Sequence, residues 1–347
     1  MILAELAYWQ ATVIKLLVAA MLVPVAGIVL GYVFLFKVMS HMQSRLGPME
    51  AGPHGTLQLI ADGVKFFQKE DIIPERADRL VFKTAPFVVL ASTFLILVVI
   101  PAGPDLVIEN LNTGIFYALA VSSLSVIGVL MAGWASANKY ALMGGLRAAG
   151  QLIAYELPLV LAVVGVVIQA GTLSLQGIVV AQAGGSIFGI SSFGNPFILT
   201  QFAAFLIFLA AVQAELTQPP FDMPVAESEI VGGYQVEYSG FRFLLFFLGE
   251  FATAFAFAAI AAVLFLGGWS VPTFMANWFG GLDSNWMNLI GPMVLFTKIM
   301  LVAFLIFWVR FTFPRFREDQ LQAFAWKVLV PLALVNIVFT AVLKVAV

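Results

Sequence analysis

The sequence predicts an all-α polytopic membrane protein with about eight transmembrane helices and an interfacial amphipathic helix in the first cytoplasmic loop. Composition is the first ground: of 347 residues 62% are hydrophobic and only 10% are charged, more apolar surface than a water-soluble domain needs. Pattern is the second. The apolar residues fall into repeated runs of roughly 20, the length that fits a bilayer's hydrocarbon. A membrane barrel would show alternating segments of about ten residues instead. The third ground is the placement of Lys and Arg, which alternates from one loop to the next.

Eight spans are expected, near 11–36, 80–101, 115–135, 148–170, 197–215, 241–267, 287–310 and 325–346, and residues 1–347 read as a single transmembrane domain. The loop after the first span carries Lys37, Arg45, Lys65, Lys69, Arg76 and Arg79, that after the third Lys139 and Arg147, and that after the seventh Arg310, Arg315 and Arg317. The loops after the second, fourth and sixth spans carry no Lys or Arg. Basic loops stay in the cytoplasm, so the odd-to-even loops are expected there, with both termini on the opposite side. The N-terminus lacks a basic leader region, and its first apolar run reads as a retained helix.

The first loop, 37–79, opens with a segment rich in Gly and Pro from Arg45 to Gly55, which predicts turns. In the stretch TLQLIADGVKFFQKED that follows, Leu57, Ile60, Val64 and Phe67 recur at spacings of three and four residues. This pattern predicts an amphipathic helix, too short and too charged to span, lying at the interface with its apolar side towards lipid or other helices. It is either an ordinary connecting helix or the border of an entrance for a lipophilic molecule. Residues 171–196 read as a plain connector, and Trp269, Trp278 and Trp286 as interfacial anchors.

Composition also excludes chemistry. With no Cys the chain has no disulfide, thiolate metal ligand, cysteine-ligated cluster or cysteine nucleophile, and two His make an all-histidine site implausible. No nucleotide, zinc or nucleophile-elbow motif occurs. No metal site and no nucleic-acid partner are expected, and membrane lipid is. Redox work would have to draw its electrons from a partner.

The acids are the unusual feature. Residues 214–240 hold Glu215, Asp222, Glu227, Glu229 and Glu237, with no basic residue anywhere between Arg147 and Arg242. Acids beside apolar helices without cations must sit near water, share hydrogen bonds or keep their protons. Glu156 and Glu250 fall within spans, about 13 Å beyond Arg147 and about 12 Å beyond Arg242 at helical rise. With Glu215 they reach similar depths, each at a cost of roughly 2.5–3.5 kcal/mol if charged and unpartnered. Lys298 is a candidate counter-charge. A solvated loop with structural hydrogen bonds is the bland reading, and a proton relay is the functional one.

Several long segments then carry a resemblance: HMQSRLGP at 41–48, LQLIADGVKFFQKED at 57–71, AGWASANKYALMGGLRAAGQLIAYE at 132–156, PFDMPVAESEIVGGYQVEYSGFRFLLFFLGE at 220–250 and PRFREDQL at 314–321. In order and spacing, over most of the chain, these resemble the quinone-channel membrane subunits of respiratory complex I, the H-type subunits of NADH-quinone oxidoreductase. The resemblance implies a subunit of a proton-pumping complex in a bacterial inner membrane, with both termini periplasmic. Its substrate would be a quinone such as ubiquinone. Flavin and iron-sulfur clusters would lie on partner subunits.

The implied partners are the hydrophilic-arm subunits at the quinone site and the small membrane-arm subunits. Glu156, Glu215, Asp222, Glu227, Glu229, Glu237 and Glu250 would form the proton-coupling path, with 214–240 as the coupling loop. Arg45, Asp62, Lys65, Phe221 and Arg242 would border the quinone entrance. None of these residues is catalytic in the strict sense. The chain departs from the family pattern at Leu35-Phe36, Met49-Glu50 and Gln218, where the family carries Glu-Arg, Asn-Arg and Arg. A membrane anchor of a related hydrogenase or ferredoxin-fed complex is the alternative within this ancestry. A stand-alone ion transporter and a purely structural anchor are the alternatives outside it.

Overall fold

A computed structural model describes residues 8–185, 194–272 and 285–346. Among them every regular element is helical, and seven helices are long and apolar enough to cross a membrane. In chain order, α1 runs Tyr8–Leu30 and continues through a π-helical stretch, Gly31–Val38, to Met42. The short helix α2 is Gln58–Gln68, followed by α3, Arg79–Leu97. The span α4, Gly114–Ala135, is broken once at Ser123. Then come α5, Lys139–Ala170, and the shorter apolar helices α6, Leu175–Gly184, and α7, Phe202–Glu215. The last three are α8, Gly240–Phe265, α9, Asn285–Thr312, and α10, Glu318–Ala346.

Two helices organise the bundle. α5 packs against α4, α7 and α10, and α8 packs against α1, α3 and α9. More than half of each apolar window is buried, 56% in α5 and 61% in α8, against 17% in α10 at the rim. The reason lies in residue size. α8 buries Ala252, Ala254, Ala256, Ala258, Ala259, Ala261 and Ala262. Small side chains let backbones approach closely where lipid offers no hydrophobic drive for helix association.

Local signals set the helix ends. Asp78 caps α3, accepting from the backbone N–H groups of Leu80 and Val81, and Asn138 caps α5, accepting from Tyr140 at 2.8 Å. At the far end of α5, Gly171 takes the left-handed conformation and its N–H returns to Val167 O. With Asn138 as the cap, α5 begins nine residues before the expected 148. Glu156 therefore lies close to its midpoint, about 26 Å from Lys139 at helical rise.

Other expectations need correction. Residues 171–196 are not a plain connector: α6 lies within them, capped by Ser174, with Leu175, Ile178 and Val179 buried in the core. The fifth expected span, 197–215, holds a 14-residue helix, α7, preceded by a separate short turn at Phe197–Thr200. Trp269 is not an interfacial anchor, being 2% exposed with its Nε1 donating to Gln176 Oε1 at 3.1 Å. Trp286 is exposed, and Trp278 lies outside the described residues.

In α2 the expected stripe is exposed, with Leu57, Ile60, Val64 and Phe67 at 51–67%. The opposite side packs on the bundle: the Phe66 ring lies 5.7 Å from that of Phe243, and Leu59 sits beneath Gly31 of α1. The helix thus lies across α1 and α8 with an apolar face turned outward.

Candidate functional site

The site forms at one end of the bundle, between the α7–α8 loop and the α9–α10 turn. The loop is fixed from below by α5. A Cβ added at Gly144 would lie 2.6 Å from both Gly233 Cα and Tyr234 N, so only glycine lets the loop seat here. Gln151 of α5 donates from Nε2 to Ala214 O at 2.7 Å and to Phe221 O at 2.8 Å, closing the base of the turn. Gln213 Nε2 donates to Pro219 O at 2.7 Å, and Phe316 N to Pro220 O at 2.9 Å. Phe221 is buried and packs against Tyr155, Phe316 and Phe324.

Above this base is a cavity of about 760 Å³ lined by Gln218, Asp222, Glu227, Glu250, Arg310 and Arg315, among others. The acids at this end do have cationic partners, which corrects the reading of a loop without base. Arg310 Nη1 donates to Glu250 Oε1 at 3.1 Å, and Gln218 Nε2 reaches the same oxygen at 3.1 Å. The guanidinium of Arg310 lies 5.8 Å from the ring centres of Phe251, Phe307 and Phe311, which hold it in place. Arg147 donates to Glu229 at 2.7 Å. Arg315 lies 3.7 Å from the other Glu229 oxygen and donates to Ser228 Oγ at 2.7 Å.

These surroundings divide the loop acids. Burial pushes the Asp222 carboxyl up to about 6, against the opposing pull of Arg315 and Arg310. The hydrogen bond from Arg147 holds Glu229 below the usual carboxylate range. Tyr234 and Tyr238, buried under the loop, are both raised by burial. One acid near the bundle can therefore exchange a proton close to neutral pH, while its neighbour stays ionised.

Deeper in the bundle Glu215, at the end of α7, lies within electrostatic range of Glu156. Among the described residues Glu215 has no hydrogen bond and no ion pair. Two amide oxygens between this pair and the cavity also lack a protein partner, Gln151 Oε1 and Gln218 Oε1.

Glu237 is elsewhere. It accepts from Asn138 Nδ2 at 2.6 Å and lines a separate cavity of about 490 Å³ with Glu75, Arg76 and Lys139. Lys298 is not a counter-charge to the acids. It donates to Gly268 O at 2.8 Å and Ser270 O at 2.7 Å, about 18 Å along α9 from Arg310. Of the residues assigned to an entrance, Lys65 pairs with Asp62 at 3.3 Å, Arg45 donates to Gln43 Oε1 at 2.8 Å, and Arg242 pairs with Asp71 at 2.7 Å. The Arg242 guanidinium also lies over the Phe82 ring. Among the described residues no group of three or more His, Asp or Glu could hold a metal ion.

Sequence reasoning finds the acids and misses what stands between them. It reads Arg310 and Arg315 only as loop charges, although they are the partners of Glu250 and Glu229. It passes over Gln151 because it is neutral, and marks Gln218 only as a departure from the family pattern, not as a partner of Glu250. A glutamine inside an apolar span is itself a signal, since its amide must be bonded there.

Comparison with known proteins bears on the whole chain. The family model described as NADH dehydrogenase matches residues 14–341. A Geobacillus kaustophilus protein, named as the H subunit of NADH-quinone oxidoreductase, is 47% identical over 309 residues, covering 89% of this chain and 86% of its own. The protein of the same name from Brevibacillus brevis is 44% identical over 339 residues, covering 96% and 94%. A Syntrophobacter fumaroxidans protein, named as the second H subunit of NADH-quinone oxidoreductase, is 48% identical over 314 residues, covering 88% and 87%.

Proposed function

We propose that this chain, which belongs to the NADH dehydrogenase family, is the membrane subunit of a proton-translocating NADH:quinone oxidoreductase in a bacterial membrane. In this reading it lets quinone in from the bilayer and begins the acidic path that couples quinone reduction to proton movement. The observation that carries it is the grouping of acids: Asp222, Glu227 and Glu250 around one cavity, with Glu215 and Glu156 within electrostatic range of each other. The long relatives named for NADH-quinone oxidoreductase support the assignment to such a complex.

The chain's own residues divide the work. The outward apolar face of α2 offers lipid contact where a lipophilic quinone would arrive, with Arg45, Asp62, Lys65 and Arg242 at the polar edge and Phe221 further in. Asp222 takes and returns a proton near neutral pH. Glu229 stays charged on Arg147 and holds the loop to α5. Glu250, fixed by Arg310 and Gln218, sets the field inside the cavity, and Glu215 with Glu156 receives the proton deeper in. Glu237 ties the far side of the loop to the α4–α5 turn.

Electron transfer belongs to partners that carry flavin and iron-sulfur clusters. These are the hydrophilic-arm subunits, docked on loop 37–79 and loop 214–240, with small membrane subunits beside the chain. The distribution of Lys and Arg supports placing those loops in the cytoplasm and both termini in the periplasm.

The test is a pull-down of the tagged chain in mild detergent, assayed for NADH-driven reduction of a short-chain quinone. Activity with co-purified flavin and iron-sulfur subunits is the expected result. Intact partners that reduce quinone only from another donor would change the electron input. Intact partners that evolve hydrogen and reduce no quinone would overturn the reading.

A further inference from the structure

The turn from Ala214 to Asp222 is held by backbone bonds and by the amides of Gln151 and Gln213, and the amides of Gln151 and Gln218 are left half-used. Gln151 is 2% exposed and spends both Nε2 hydrogens on Ala214 O and Phe221 O, leaving Oε1 buried without a protein partner. Gln218 is 1% exposed and lines the cavity. Its Nε2 donates to Glu250, and its Oε1 is likewise buried without a partner. Buried carbonyl oxygens in folded proteins are nearly always bonded, to protein or to ordered water.

The positions of these two oxygens matter more than their number. The two carbonyls that Gln151 holds belong to the residues next to Glu215 and next to Asp222, so its amide spans the gap between the deep acid and the cavity acid. Gln218 stands on the cavity side of that gap, with Glu250 at its other end. Glu215 itself has no protein partner among the described residues. A buried water needs two to four polar neighbours, and acceptors lacking donors are available at each step.

We propose that Gln151 and Gln218 each seat a water molecule on the side-chain oxygen, and that these waters join the acid-rich cavity to Glu215. This rests on the reading of the acids as proton carriers. A proton leaving Asp222 enters the water on Gln218. That water releases a different proton to the water on Gln151, which releases one to the Glu215 carboxylate. Each water ends as it began, Asp222 is left ionised, and Glu215 is left protonated. The amides accept hydrogen bonds and never change protonation, so they are positioning residues. The neutral side chains hold the wire in place without trapping the proton as a third carboxylate would.

The test uses the intact complex. A cryo-electron microscopy map detailed enough to show ordered water is expected to place density within hydrogen-bonding distance of Gln151 Oε1 and Gln218 Oε1. Gln218→Met keeps the volume and removes the acceptor together with the Nε2 bond to Glu250, which Arg310 still holds. It is expected to slow quinone-coupled proton translocation roughly tenfold, less than the hundredfold or more that a lost proton-transfer group costs, because the amide only positions the water, and to raise the solvent deuterium isotope effect on turnover. A merely structural role would leave the isotope effect unchanged. No ordered water at either oxygen, or an assembled Gln218→Met complex with the parent isotope effect, would overturn the proposal. If the variant fails to assemble, the map of the parent decides. Glu215→Gln separates the two levels. Full rates in that variant remove the carrier reading even with both waters present, whereas lost rates with no water at the amides remove only the glutamine wire.

Discussion

Both ends of the bundle set cations against helices, and what those cations meet differs. At one end Lys298 donates to Gly268 O and Ser270 O beyond the end of α8, and Lys344 donates to Ile168 O and Gln169 O at the end of α5. Those partners are carbonyls left free where helices stop, which lysine satisfies with charge of the favourable sign. At the other end Arg310 meets Glu250, and Arg147 and Arg315 meet Glu229. These partners are side-chain carboxylates. The first arrangement fastens helix ends, and the second pairs carboxylates of the loop and of α8 with arginines of other elements.

The comparison can be broken at several points. The largest effect is expected from Gly144→Ala. Its methyl would press on Gly233 Cα and Tyr234 N, both backbone, so the acidic loop must lift. Such overpacking costs about 1–3 kcal/mol. The variant is expected to lower both thermal stability in detergent and quinone reductase rate, and wild-type behaviour in both would refute the seat on α5.

Lys298→Met leaves two helix-end carbonyls without their donor, a loss of about 1–3 kcal/mol. It is expected to lower stability while leaving the pH profile of turnover unchanged, and a shifted profile would join the two ends functionally. Arg310→Met acts at the opposite end, removing a partly buried ion pair at a cost of about 1–2 kcal/mol. It is expected to change the pH profile, since Asp222 loses a nearby cation that opposes its upward shift. An unchanged profile would reduce Arg310 to a fastener like Lys298.

A further break point is Asp222, read in the slope of stability against pH. Its carboxyl titrates near 6 when folded and near 3.8 when unfolded. Between those values the folded state holds more protons, so stability is highest below the unfolded value and falls as pH rises through the window. Asp222→Asn is expected to flatten that fall in unfolding measurements made from pH 4 to pH 7. The same slope in the variant would show that other groups produce it.

Much of the fold is legible because length and apolarity are local properties. The expected 115–135 and 241–267 correspond to α4 at Gly114–Ala135 and α8 at Gly240–Phe265. The start of α5 is not legible. Lys139, Gly144, Gly145 and Arg147 look like loop residues, and the helix persists there because the glycines face closely packed backbone and Asn138 caps the end. α6 is hidden by its Gly and Gln content. At the site, the acids stand out as ionisable groups near apolar runs. Their partners do not, since Glu250 and Arg310 are distant in sequence and meet only through the packing of α8 against α9. Gln151 gives the weakest signal, since it is neutral and meets its partners only when the turn of 214–222 folds onto it.

In the proposed function protons pass through Glu215 and Glu156 during quinone reduction. Glu215→Gln in the assembled complex tests it most directly, with quinone reduction and proton translocation measured in the same sealed vesicles. The account predicts that both fall together by about a hundredfold, as when a proton-transfer group is removed, while every partner remains bound. An assembled variant that reduces quinone and translocates protons at parental rates would contradict it.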